Sequence, residues 1–176
     1  MQRQKIQILA NAILNEHNLN AVPVKVEKLA KLIGAEVKRD NLKSSLSGFA
    51  VQKHGSKFIG INSNESAERQ RFTIAHEIGH LFLHKKDSVN YDLDGAMLFR
   101  DGHSKQGTDV KEIEANRFAA ELLMPEVGLR QRLAAAGVVD LVGEDVKTSK
   151  LISKLAKEYQ VSTQAMSIRL TTLYFS

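Results

Sequence analysis

The chain contains no cysteine. That excludes disulfides, zinc ribbons and cysteine nucleophiles, and leaves His, Asp and Glu as the ligands for any metal. Long hydrophobic runs are also missing. The longest unbroken apolar stretch, 133–139, is far too short to span a bilayer. The first apolar patch, Ile6 to Leu14, is interrupted by Gln7 and Asn11 and does not form a signal-peptide core. Repeats and low-complexity tracts are absent. The expectation is a soluble cytoplasmic protein with no membrane partner.

What is present suits one compact domain with a small terminal appendage: 176 residues, 43% of them apolar and 26% charged. The net charge of +5, with a pI near 9.4, hints at an acidic partner such as nucleic acid. Its distribution weakens that hint. Residues 1–60 carry 10 Lys and Arg against 4 Asp and Glu, 61–125 carry 8 against 11, and 126–176 carry 7 against 5. The basic excess belongs to the first third, and the middle is acidic.

Helical spacing of Ile6, Leu9, Ala10, Ile13 and Leu14 predicts a helix over about 3–16. A second spans about 24–33 and ends at Gly34. The period then changes: Ala35 to Lys38, Gly48 to Gln52 and Phe58 to Ile61 read as short strands, the last two joined by a hairpin loop. Asn62 to Asn64 offer caps for a helix running to about His84. Residues 85–109, rich in Asp and Gly, read as a long irregular loop. Helices follow over about 110–123 and from Pro125 to near Gly137. After a linker at 138–147 come helices over 149–159 and 163–173, the last capped by Ser162.

His76-Glu77-Ile78-Gly79-His80 falls inside the third helix. Positions i and i+4 share a helix face, so His76 and His80 can ligate one metal through their imidazoles. Glu77 stands about 100° round from His76, at the edge of that face, where a general base can reach an activated water without displacing it. Apolar Phe72, Ile74, Ala75, Ile78, Leu81 and Phe82 imply that the helix is buried.

A catalytic metal needs a third protein ligand. His84, at i+8 from His76, lies about 80° round and two turns along, which strains coordination from one helix. It reads as a helix-end residue. On the helix at 110–123, Glu112 shares a face with Ala115, Ala119, Leu122 and Leu123, whereas Glu114 and Glu121 fall on the opposite, polar side. A carboxylate on an inward, alanine-lined face needs a partner, and a metal is one. Glu112 is therefore the candidate third ligand, with Glu114 as fallback and helix capping as the competing role for Glu112. Asn116, one turn on, is placed to hydrogen-bond a ligand imidazole.

The blocks Arg71-Phe72-Thr73-Ile74-Ala75-His76-Glu77-Ile78-Gly79-His80 and Glu112-Ile113-Glu114-Ala115-Asn116-Arg117-Phe118-Ala119-Ala120-Glu121-Leu122-Leu123-Met124-Pro125 resemble the ImmA/IrrE family of zinc metallopeptidases in content, order and separation. The resemblance covers about residues 20–136. It implies an α+β, zincin-like fold, mostly helical, with a small three-stranded sheet beside the active-site helix. It implies one zinc ion per chain, or another divalent metal, held by His76, His80 and Glu112, with Glu77 as the catalytic acid/base. It further implies a protein substrate of a regulatory kind, such as a phage, mobile-element or stress-response repressor. The expected domains are a metallopeptidase unit at 1–137 and a C-terminal helical appendage at 138–176 packed on it.

The tetrahedral oxyanion needs a donor besides the metal; Tyr91 and His103 in the long loop are the available candidates, with ordinary loop residues as the favoured reading of both. The strands at 48–61 offer an edge for an extended substrate, with a closed sheet edge as the competing reading. The last two helices resemble a helix-turn-helix, with Gln160 where a turn glycine is usual and Arg169 as the only cation of the second helix. Phosphate contacts need several cations, so the pair reads as a packing module or substrate dock, with DNA binding the minority reading. The function that competes with peptidase is a non-enzymatic regulator, DNA-binding or partner-binding, on a metallopeptidase-like fold.

Overall fold

The computed structural model describes residues 2–43, 46–53, 55–84, 88–93, 106–137 and 146–174. Among the described residues, seven helices and four strands follow in the order α1 (Gln2–Glu16), α2 (Val26–Leu32), β1 (Ala35–Asp40), β2 (Leu46–Lys53), β3 (Ser56–Asn62), α3 (Ala67–Leu83), β4 (Ser88–Leu93), α4 (Gln106–Leu123), α5 (Glu126–Ala135), α6 (Val146–Tyr159) and α7 (Thr163–Tyr174). The fold is α+β, as the sequence implies.

The sheet order is β1-β3-β2-β4, with β1 parallel to β3 and the other pairs antiparallel. The three expected strands are extended by a fourth. β4 lies inside the stretch read as irregular, where Val89, Tyr91 and Leu93 alternate with Asn90 and Asp92. That period-2 signal is short and carries an aspartate, and the Asp- and Gly-rich sequence around it reads as loop. α4 likewise begins at Gln106, inside the same stretch. The extra strand also changes the edges. β2 and β3 are paired on both sides, so the strands at 48–61 present no edge for strand addition; among the described residues β1 and β4 are the edges.

α3 touches the sheet through β2 and β3, and packs along α4. Two glycines set those distances. A Cβ on Gly48 would stand 2.5 Å from the Thr73 side chain and 2.8 Å from the Gly60 carbonyl oxygen, so only glycine lets β2 lie this close to α3. A Cβ on Gly79 would stand 3.1 Å from the Phe118 ring and 3.2 Å from the Ala115 backbone. The small face of α4, Ala115 and Ala119, meets Gly79 and lets the two helices approach closely. Ile74, Ala75, Ile78, Phe118, Ala119 and Leu122 are fully buried there.

α6 and α7 join the same core, through Leu155, Ala156, Tyr159, Met166 and Leu170. Gln160, at the turn between them, takes a positive φ of 52°, the conformation for which glycine is usual at that position. The Ser162 hydroxyl accepts from the Ala165 N–H at 3.1 Å, the expected cap. This packing overturns one expectation about α4. Glu121 was placed on its polar side, yet it is 2% exposed. α7 covers that face, and Arg169, the single cation of α7, meets Glu121 in a two-pronged pair at 2.7 and 2.5 Å. The Arg169 Nε–H is taken by the Met124 carbonyl at 3.0 Å.

Candidate metal centre

α3 is capped at its start by Ser66, whose side chain accepts from the Arg69 N–H. From Thr73 to Leu81 every residue is buried, which places the His76-Glu77-Ile78-Gly79-His80 segment in the interior. His76 and His80 project one turn apart from the same face, with their Nε2 atoms 2.9 Å apart. Glu112, on α4, completes a triangle: its Oε2 is 3.1 Å from His76 Nε2 and its Oε1 is 3.2 Å from His80 Nε2. Ligands about 2.0–2.1 Å from a tetrahedral ion are about 3.3 Å apart, so the three donors already stand near the spacing of one face of such a site.

The chemistry of the donors points to a cation among them. The Asn116 Oδ1 lies 3.0 Å from His76 Nδ1 and accepts its proton. That leaves the His76 Nε2 lone pair facing the triangle, and a proton there would make a buried imidazolium. Burial, the largest effect, lowers the His80 pKa, with His76 and His84 acting the same way against the opposing pull of Glu112. For Glu112, burial works against ionisation, but the contacts with His76 and His80 outweigh it and hold its carboxyl at about 2. The Nε2 atoms of His76 and His80 and the Glu112 carboxylate thus converge on one point. A divalent ion satisfies all three at once, and the residues fit it. Among the described residues, His76, His80 and Glu112 form such a group.

Glu77 is fully buried beside it, on the next position of α3. His84 stands apart, as the C-cap of α3, with Nε2 3.2 Å from the Lys111 carbonyl and 3.8 Å from Glu114 Oε2. Glu114 therefore faces His84 and not the triangle. Tyr91 sits in β4 in register with Phe49, and His103 lies outside the described residues. The Glu121–Arg169 pair was not anticipated. Its signal was a lone arginine on an otherwise uncharged helix, which marks a buried partner more often than a phosphate grip.

The fold and the site together define a class: an α+β protein with two histidines of one helix and a glutamate of its neighbour arranged to hold a metal ion. The chain belongs to the M78 peptidase family, described as the IrrE N-terminal-like domain, whose model matches residues 30–171. The expected ImmA/IrrE membership is thereby established. The chain is 32% identical over 99 residues to immunity region protein 2 of Bacillus phage phi105, covering 56% of this chain and 58% of that protein. It is 34% identical over 113 residues to the radiation response metalloprotease IrrE of Deinococcus radiodurans, covering 64% of this chain but only 30% of that one. In fold it is similar to a Mycobacterium tuberculosis transcriptional regulator, with a TM-score of 0.64 and 16% identity over 96% of this chain and 46% of the other.

Proposed function

We propose that the protein is a zinc-dependent endopeptidase that cleaves a regulatory protein, such as a transcriptional repressor, at a specific site in the cytoplasm. The observation that carries this is the convergence of His76, His80 and Glu112 beside the buried Glu77. The names of the similar proteins, a metalloprotease and a product of a phage immunity region, support a regulatory substrate.

His76, His80 and Glu112 would hold the ion, which supplies Lewis acidity to a water and to the scissile carbonyl. Glu77 takes the proton of the attacking water and delivers it to the leaving amine. Asn116 fixes His76 by accepting its Nδ1–H, so that Nε2 keeps its lone pair turned to the ion. β4, the edge strand that touches α3, is where an extended substrate would pair. In this reading, residues 1–137 are the catalytic unit and 138–176 the appendage that covers α4. No helix among the described residues is long and apolar enough to cross a membrane.

The test is cleavage of a repressor encoded beside the gene, read by mass spectrometry of the fragments. A single cut site, abolished by a chelator and restored by zinc, is the expected result. An intact repressor under all metal conditions, alongside stoichiometric binding of operator DNA by the protein itself, would establish the regulator instead.

A further inference from the structure

α7 does more than cover the core. Where it passes α3 and α4 it leaves a groove of about 630 Å³. Phe72, Ile113, Ala165 and Ile168 give this groove an apolar lining, and Arg3, Arg69 and Arg117 border it, Arg69 with its guanidinium engaged by Glu65 and Ser47. Ile113 is 45% exposed, a large apolar side chain presented to solvent. Arg117 is half-buried on α4 and makes no hydrogen bond or ion pair with any described residue. Two acids also line the groove, Glu68 and Glu121, and Glu121 is consumed by Arg169. The remaining balance is positive, although the middle third of the sequence as a whole is acidic.

The groove and the metal centre share a wall. Asn116 lines the groove and also holds His76. Arg117 is the next residue, five positions beyond Glu112 and so about 7.5 Å further along the helix axis. Those five positions also turn Arg117 about 140° round α4 from Glu112, so the groove and the His76–His80–Glu112 triangle lie on different sides of the helix with Asn116 between them. The α7 wall offers it no free cation, because Arg169 is the only one and is buried. That composition suits a peptide and not a duplex, whose grip needs several cations along one face.

We propose that this groove docks a segment of the protein substrate in which an apolar side chain is flanked by carboxylates, and that Arg117 selects it by pairing with one of them. The assignment rests on the peptidase reading for what is docked, but binding can be measured without the reaction. The parent protein is the full chain carrying Glu77→Gln, which cannot consume the probe. The probes are a fluorescein-labelled peptide of alternating Leu-Leu and Glu-Glu pairs and its counterpart with Lys for Glu, followed by fluorescence anisotropy.

The acidic peptide is expected to bind at least about tenfold more tightly than the basic one, and more weakly as salt is raised. Arg117→Glu and Ile168→Asp are each expected to weaken it about tenfold or more, and Lys31→Glu, at an exposed position of α2, to leave it unchanged. Arg117→Gln, a milder change, provides the same test if Arg117→Glu does not fold by circular dichroism. Equal affinity for the two peptides, or full affinity in Arg117→Gln and Ile168→Asp, overturns the proposal. So does displacement of the peptide by a DNA duplex at similar concentration, which would assign the groove to phosphates. Cleavage that persists in Glu77→Gln would instead overturn the mechanism and leave the groove result standing.

Discussion

Glu112 and Glu114 stand two residues apart on α4 and do different things. Glu112 reaches both imidazoles, whereas Glu114 faces His84 at the end of α3. Replacing Glu112 with Ala is expected to lower zinc affinity by more than about 100-fold, and Glu114→Ala to leave it within a few-fold, as measured by chelator competition. Metal lost from Glu114→Ala and kept by Glu112→Ala would reverse the assignment. Glu112 and His80 set the acid response of the metal-free protein. The His80 pKa is lowered, chiefly by burial. The Glu112 carboxyl is held at about 2. In both cases the unfolded chain binds more protons than the folded one, so stability rises with pH. The His80 part is therefore lost as pH falls below about 6.5, and the Glu112 part between about 4.5 and 2. Thermal melts of metal-free protein should fall across those windows, and Glu112→Gln should flatten the lower one. A melting temperature independent of pH from 7 to 3 would contradict this.

At the scale of elements, α7 is tied to α4 by a buried ion pair. Glu121 and Arg169 are 2% and 4% exposed, and removing one partner strands the other's charge. Arg169→Ala should cost about 3–5 kcal/mol in urea unfolding, and Arg169→Met with Glu121→Leu should recover most of it. A double variant as unstable as the single one would show that the pair, and not relief of a stranded charge, holds α7. How much of this was legible depended on the distance between cause and effect. Ser162 and Gln160 were readable because a cap and a turn are local. The metal triangle was readable because His76 and His80 share one helix face and Glu112 lies on the alanine face of another. Glu121 was not, because the helix that buries it arrives more than forty residues later. β4 was missed because a six-residue strand paired with β2, far earlier in the chain, carries little periodicity of its own.

At the scale of the whole molecule, the meeting of His76, His80 and Glu112 is a consequence of how closely two helices can pack. Gly79 against Ala115 brings α3 and α4 together, Gly48 brings the sheet onto α3, and the ligands then meet without further adjustment. The positive charge that suggests nucleic acid lies mostly in the first third, while the single cation of α7 is spent inside the fold. The molecule thus places the candidate metal ligands, a buried carboxylate and an arginine-bordered groove along α3 and α4, the arrangement on which the proposed peptidase function rests. The most direct measurement compares the full chain with Glu77→Gln on the same repressor, each analysed for bound metal and for fragments. The account predicts that Glu77→Gln keeps about one zinc per chain while its rate of cleavage falls by at least about 100-fold. A variant that keeps its zinc and cleaves at the wild-type rate would contradict it.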